Sequence, residues 1–330
     1  MSLRDVRFVL DGGSGEWSLR ASLAKGVWPK LELTSDERIS LREVFRRFAR
    51  PGAALRELAG QNGNVWRHIT RDEVVRGLRN RIRDPAVMRQ NPTDLCGPMS
   101  LLMEFARRNP TRFIRGAAEL LREGVFTTQN GRKFVAAEDL RGRPVPDGDI
   151  AGVEWLYVAT MRDSENVTDD VDNGEGIEGI TWPFELEEWT DDVLGLKTDY
   201  FPCVLGGELG ATREGQQAVS NGGVAFLLVD KNLLKDGAED GTPDSEESMW
   251  WRRRRHNPGG TVDDYGGWHH CKDDDYPPDH YVVLLGGLQG AVSGGKEFRV
   301  LLWSYGYVYE VIGSADSFGE YLYGVITGRP

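Results

Sequence analysis

Nucleophilic chemistry in this chain would have to come from three cysteines and five histidines. Cys96 stands in the stretch Gln90-Asn91-Pro92-Thr93-Asp94-Leu95-Cys96-Gly97-Pro98, a loop running into a helix that carries Met99, Leu102, Met103 and Ala106 on one face. Pro98 suits a first helical turn, where no backbone N–H is needed. A sulfur at that position meets the positive end of the helix dipole and unpaired N–H groups, which favour thiolate over thiol. Cys203 follows a proline in apolar surroundings and Cys271 lies in a polar stretch, so neither has a helix start beside it. Among the histidines, His280 heads the apolar run Tyr281-Val282-Val283-Leu284-Leu285, where a polar residue on the rim of a buried strand is placed to face a cleft. His68 belongs to a helical region, and His256, His269 and His270 to the polar stretch. Cys96 as nucleophile and His280 as its general base are the pair these placements select, and the chemistry is thiol attack on a carbonyl. Burial of Cys96 as a small hydrophobe, and of His280 as an ordinary strand start, are the alternatives.

Cys96-Gly97-Pro98, the strand opening His280-Tyr281-Val282-Val283 and the later turn Trp303-Ser304-Tyr305-Gly306 together resemble the papain-like cysteine peptidase superfamily over roughly residues 88–310. The stretch Trp155 to Trp189, with Met161-Arg162-Asp163-Ser164-Glu165-Asn166, is similar to segments of uncharacterised bacterial proteins of that kind. The resemblance implies an α+β fold, a helical part carrying Cys96 packed on a twisted antiparallel sheet carrying His280. It gives Gln90, six residues before Cys96, the role of oxyanion donor beside the Cys96 N–H. It also implies peptide hydrolysis through an acyl-enzyme, with a protein or peptide as substrate. Deamidation or transamidation, and a catalytically inactive protein-binding module, use the same constellation. The chain departs from the family at the residue that orients the histidine. Trp303 precedes the turn and cannot accept a bond from imidazole. If the two late strands form a hairpin turning near Val292, Ser304 comes opposite His280 and its hydroxyl can orient the ring. Glu297 is the nearest acid, but at the wrong end of its strand.

The elements that must position these residues read as helices first and strands later, the order of an α+β domain. A strand is expected at Val6 to Leu10, followed by a turn at Gly12-Gly13-Ser14-Gly15. From Leu41 to about Arg83 the pattern is helical, with Thr70 and Glu73 as a capping box. Asn109-Pro110 starts a further helix with Phe113, Ile114, Ala117, Leu120 and Leu121 as its stripe. Asn130-Gly131 marks a hairpin between Val125-Phe126-Thr127 and Phe134-Val135. Val224 to Val229 reads as a buried strand, and His280–Leu285 and Phe298–Trp303 as two more. Residues 1–85 form a mostly helical region, integral or occluding. Residues 86–330 form the catalytic domain, with a polar excursion or flap at about 235–279.

Bulk properties narrow the classes further. A net charge of -12 and a pI near 5.0 argue against general nucleic-acid binding. Arg252-Arg253-Arg254-Arg255 is a local exception, read as solvated loop. No apolar run is long enough to span a bilayer, and the first residues show no Sec-type signal. A cytoplasmic protein, or one exported by a specialised route, is expected. Three sparse cysteines make no disulfide framework. His269-His270-Cys271 lacks the paired spacing of a zinc site, and no metal or other cofactor is expected.

Overall fold

The computed structural model describes residues 8–11, 18–21, 51–89, 95–165, 181–203, 208–234, 248–256, 262–270, 280–289 and 297–330. The chain divides into two compact units, one of residues 1–88 with 102–173 and the other of residues 89–101 with 174–330. The units therefore interleave along the chain instead of following one another.

In the first unit, β1 (Phe8–Asp11) and β2 (Ser18–Ala21) pair antiparallel, across the segment where the Gly12–Gly15 turn was expected. That turn, and the expected helical start at 41–50, lie outside the described residues. Helix α1 covers 51–60 and α2 runs Arg71–Arg83. Thr70 caps α2 by accepting the Glu73 N–H at 3.3 Å. Helix α3 (Cys96–Arg108) enters this unit from residue 102 onward. It is followed by α4 (Pro110–Glu123), which starts on Pro110 and stops at Gly124 in the left-handed conformation (φ 69°). The hairpin of β3 (Val125–Thr127) and β4 (Lys133–Val135) forms around Asn130-Gly131, with Gly131 at φ 87°. Helices α5 (Glu138–Gly142) and α6 (Gly152–Glu165) complete the unit.

Phe105, Phe113, Phe126 and Tyr157 pack as an aromatic cluster with ring centroids 5.2–6.2 Å apart. Two carboxylates are buried in this helical layer. Burial alone would raise the Glu104 carboxyl, but Arg107 and Arg108 bind it at 2.7 Å and hold it below its usual value. Glu154 is fully buried on α6 and meets Arg81 of α2 at 2.6 Å. There burial outweighs the guanidinium and pushes the carboxyl up to about 7.

The second unit is built on an antiparallel sheet of eight strands. In chain order these are β5 (Lys197–Pro202), β6 (Val224–Val229), β7 (Ser248–His256), β8 (Val262–His270), β9 (His280–Gln289), β10 (Glu297–Ser304), β11 (Tyr307–Ser314) and β12 (Leu322–Arg329). Their order across the sheet is β5-β12-β6-β9-β10-β11-β7-β8. All six residues of β6 are buried, as its unbroken apolar run requires of a central strand. Helices α7 (Pro183–Leu194), α8 (Glu208–Ser220) and α9 (Ala315–Glu320) accompany the sheet. On one face Leu227, Val282, Leu284, Leu302 and Val311 join Ala211 of α8 and Phe318 of α9 in a buried core. Gly215 lets α8 approach this face closely, since a Cβ there would sit 3.1–3.2 Å from Val325, Ala225 and Leu284.

The expected α+β class holds. One local expectation does not. The centre of the 235–279 excursion is the β7–β8 hairpin, and β7 extends the sheet by pairing with β11, so that Arg252 to Arg255 lie in a strand and not a loop. Arginine runs carry little strand propensity, and here cross-strand pairing with Ile312, Val311, Glu310 and Tyr309 decides the outcome. Among the described residues no helix is long and apolar enough to cross a membrane.

Candidate active site

Cys96, His280 and Ser304 all belong to the second unit. Cys96 is the first residue of α3 and is buried (6% exposed). Leu95 precedes it and accepts the Met99 N–H at 3.0 Å, the first bond of the helix, so Cys96 stands at its N-terminal end. Gly97 is required by a close approach, since a Cβ on it would lie 2.6–2.7 Å from the Thr181 side chain. One turn further on, Ser100 Oγ donates to the carbonyl of Tyr281 at 3.4 Å. The N-terminal part of α3 thus lies against the first residues of β9, the strand His280 opens.

His280 is 2% exposed, and both of its ring nitrogens meet hydroxyl groups. Nε2 lies 2.6 Å from Ser304 Oγ, and Nδ1 lies 3.2 Å from Tyr305 Oη. The strand register explains the first contact. Trp303 pairs with Val283, which brings Ser304 beside Val282 and makes it a same-face diagonal neighbour of His280. The hairpin geometry read from the sequence therefore brings this pair together. Glu297 pairs with Ser314 at the opposite end of β10.

Tyr305 is the participant that sequence reasoning missed. Ser304 pairs with Tyr307, leaving Tyr305-Gly306 as a two-residue turn with φ 48° and 83°. Positive φ at both positions is the turn that suits strand twist, and it normally selects Asn or Gly at the first. A tyrosine held there is strained, and strain of this kind gathers at functional sites. The Tyr305 ring lies parallel to the His280 ring at 2°, with centroids 4.4 Å apart. The Ser-Tyr-Gly turn was visible in the sequence; the stacking was not.

Gln90 lies outside the described residues, as does Cys271. Cys203 is half-buried, and its thiol is pushed up to about 12 by burial and by Glu208, so it is protonated at neutral pH. His68 is exposed on the other unit. Among the described residues no set of three His, Cys, Asp or Glu side chains is placed to hold a metal ion.

Chemically, the arrangement offers a thiol at a helix N-terminus and an imidazole fixed by a hydroxyl through Nε2. Comparison of the chain with protein-family models and with curated proteins finds no match.

Proposed function

We propose that the protein is a papain-like thiol hydrolase acting on protein or peptide amides, with Cys96 as nucleophile and His280 as general base. The carrying observation is the buried His280 ring, held at Nε2 by Ser304, at the head of a strand whose Tyr281 carbonyl accepts the Ser100 hydroxyl of α3. With Nε2 engaged by Ser304, the Cys96 proton would pass to Nδ1 in place of the Tyr305 hydroxyl, which lies 3.2 Å from that nitrogen. His280 takes that proton and the thiolate attacks the carbonyl carbon. The oxyanion is met by the Cys96 N–H and, by resemblance, the Gln90 side chain. His280 returns the proton to the leaving amine, and water then releases the acyl group. Side-chain deamidation and transamidation use the same steps with a different leaving group or acceptor.

A second reading, a papain-like module that binds protein without catalysis, is favoured by the Tyr305 hydroxyl at 3.2 Å from Nδ1, the position a catalytic thiol would need. Acyl trapping separates the two. Brief exposure to p-nitrophenyl acetate at neutral pH, followed by peptide mass mapping, is expected to show one acetyl group on Cys96 and none in Cys96→Ala. Acetylation of surface lysines alone would leave the binding-module reading standing and the hydrolase reading without support.

A further inference from the structure

The face of the sheet opposite the α8 core carries polar groups that the mechanism does not use. Tyr281 is 3% exposed and Thr181 5% exposed, and among the described residues neither side-chain hydroxyl has a hydrogen-bond partner. Buried hydroxyls without partners are rare enough to need a reason. Both residues border the start of α3: Thr181 packs on Gly97, and the Tyr281 carbonyl receives the Ser100 hydroxyl.

The register places more acceptors on the same face. Tyr281 pairs with Leu228, Leu228 with Gly324, and Gly324 with Pro202, a continuous row across β9, β6, β12 and β5. Two residues before Pro202, Tyr200 swings its ring over Gly324, where a Cβ would meet its Cε2 and Oη at 2.5–2.6 Å. Gly324 is thus the gap that lets the Tyr200 phenol reach back along this row. Helix α7 covers the same face, with Thr190 against Gly328, and contributes Glu185 and Glu187 near its start. Glu185 Oε2 caps the helix by accepting the Trp182 N–H at 2.7 Å.

Burial raises Tyr281, and Cys96, Tyr200, Glu185 and Glu187 raise it further. Tyr200 is raised by burial, Cys203 and Glu187, and Glu187 by burial and Asp199. Glu185, Glu187 and Asp199 are carboxylates, the last already paired with Arg329 at 2.8 Å. A neutral apolar occupant would leave these groups unmatched, whereas a guanidinium supplies five N–H donors and a positive charge.

We propose that this face, bounded by the first turns of α3 and α7, is a subsite for a cationic side chain, an arginine or lysine of the substrate, with Tyr281, Tyr200 and Glu187 as its acceptors. The assignment deepens the hydrolase reading by naming the group bound beside Cys96, and it is tested without catalysis. The Cys96→Ala protein is titrated with N-acetyl-arginine amide and with its citrulline counterpart, which keeps the shape and loses the charge. The arginine compound is expected to bind at least ten-fold tighter. Adding Glu187→Gln should remove that preference, Tyr281→Phe should weaken it several-fold, and Glu188→Gln, on the exposed side of the same helix, should leave it intact. Equal binding of the two compounds, or equal losses from Glu187→Gln and Glu188→Gln, would overturn the subsite. Arginine-selective binding by Cys96→Ala, together with no acetylation of Cys96 in the unsubstituted protein by p-nitrophenyl acetate, would keep the subsite and refute the hydrolase.

Discussion

His280→Ala is expected to lower acyl transfer to water by about a thousand-fold, within the range that loss of a positioned general base produces. The expectation rests on where the ring is held. His280 is buried, Ser304 fixes Nε2 at 2.6 Å, and Tyr305 lies parallel to the ring, so the imidazole has little freedom to be replaced by solvent. The loss should be larger for amides than for activated esters, because only the amide needs His280 to protonate its leaving group. Rates for a peptide p-nitroanilide and for p-nitrophenyl acetate, measured on the same variant, check this. An equal, small loss on both would remove His280 from the chemistry.

Arg81→Ala carries the largest expected effect on stability. It leaves the Glu154 carboxylate fully buried without its guanidinium, a situation that costs about 3–5 kcal/mol. The cost depends on pH. Glu154 has a folded-state pKa of about 7, raised from 4.5 by burial against the pull of Arg81. A carboxyl raised on folding binds its proton more tightly in the native state, so stability falls as pH rises from about 4.5 to 7 and levels off above. For Glu154 in the intact protein this amounts to roughly 3 kcal/mol across that window. Without Arg81 the folded pKa climbs further and the decline extends above pH 7. Urea unfolding should therefore show a much larger loss for Arg81→Ala at pH 8 than at pH 5, where Glu154 is protonated. Equal losses at both would mean that the pair acts through packing and not through charge.

Much of the candidate site was legible because its signals are local. Pro98 after Cys96-Gly97 marks a helix start, and α3 begins at Cys96. The apolar run after His280 marks a strand, and hairpin symmetry was enough to bring Ser304 to it. The rest depends on contacts distant in sequence. Tyr305 stacks on His280 only because a tyrosine occupies a turn position that ordinarily favours Asn or Gly. The row joining Tyr281 to Tyr200 crosses four strands in the order β5-β12-β6-β9, with the last strand of the chain between β5 and β6, and no periodicity encodes it. The β7–β8 hairpin was hidden by composition, since Gly, Asp and Arg are weak strand formers and pairing with β11 and between the two strands defines it. The interleaving of the units was hidden as well, because α3 is one uninterrupted helix across residue 101.

The pairing of Cys96 with His280 is tested most directly by the rate of Cys96 alkylation with iodoacetamide as a function of pH, read site by site by mass spectrometry. Cys203, with its thiol raised to about 12, should stay unlabelled over pH 5–8 and serve as an internal reference. A paired thiolate predicts rapid labelling of Cys96 near pH 6, and in His280→Ala a profile that rises only toward the ordinary thiol value of about 8.5. Slow labelling near pH 6 with the same profile in both proteins would contradict the pair.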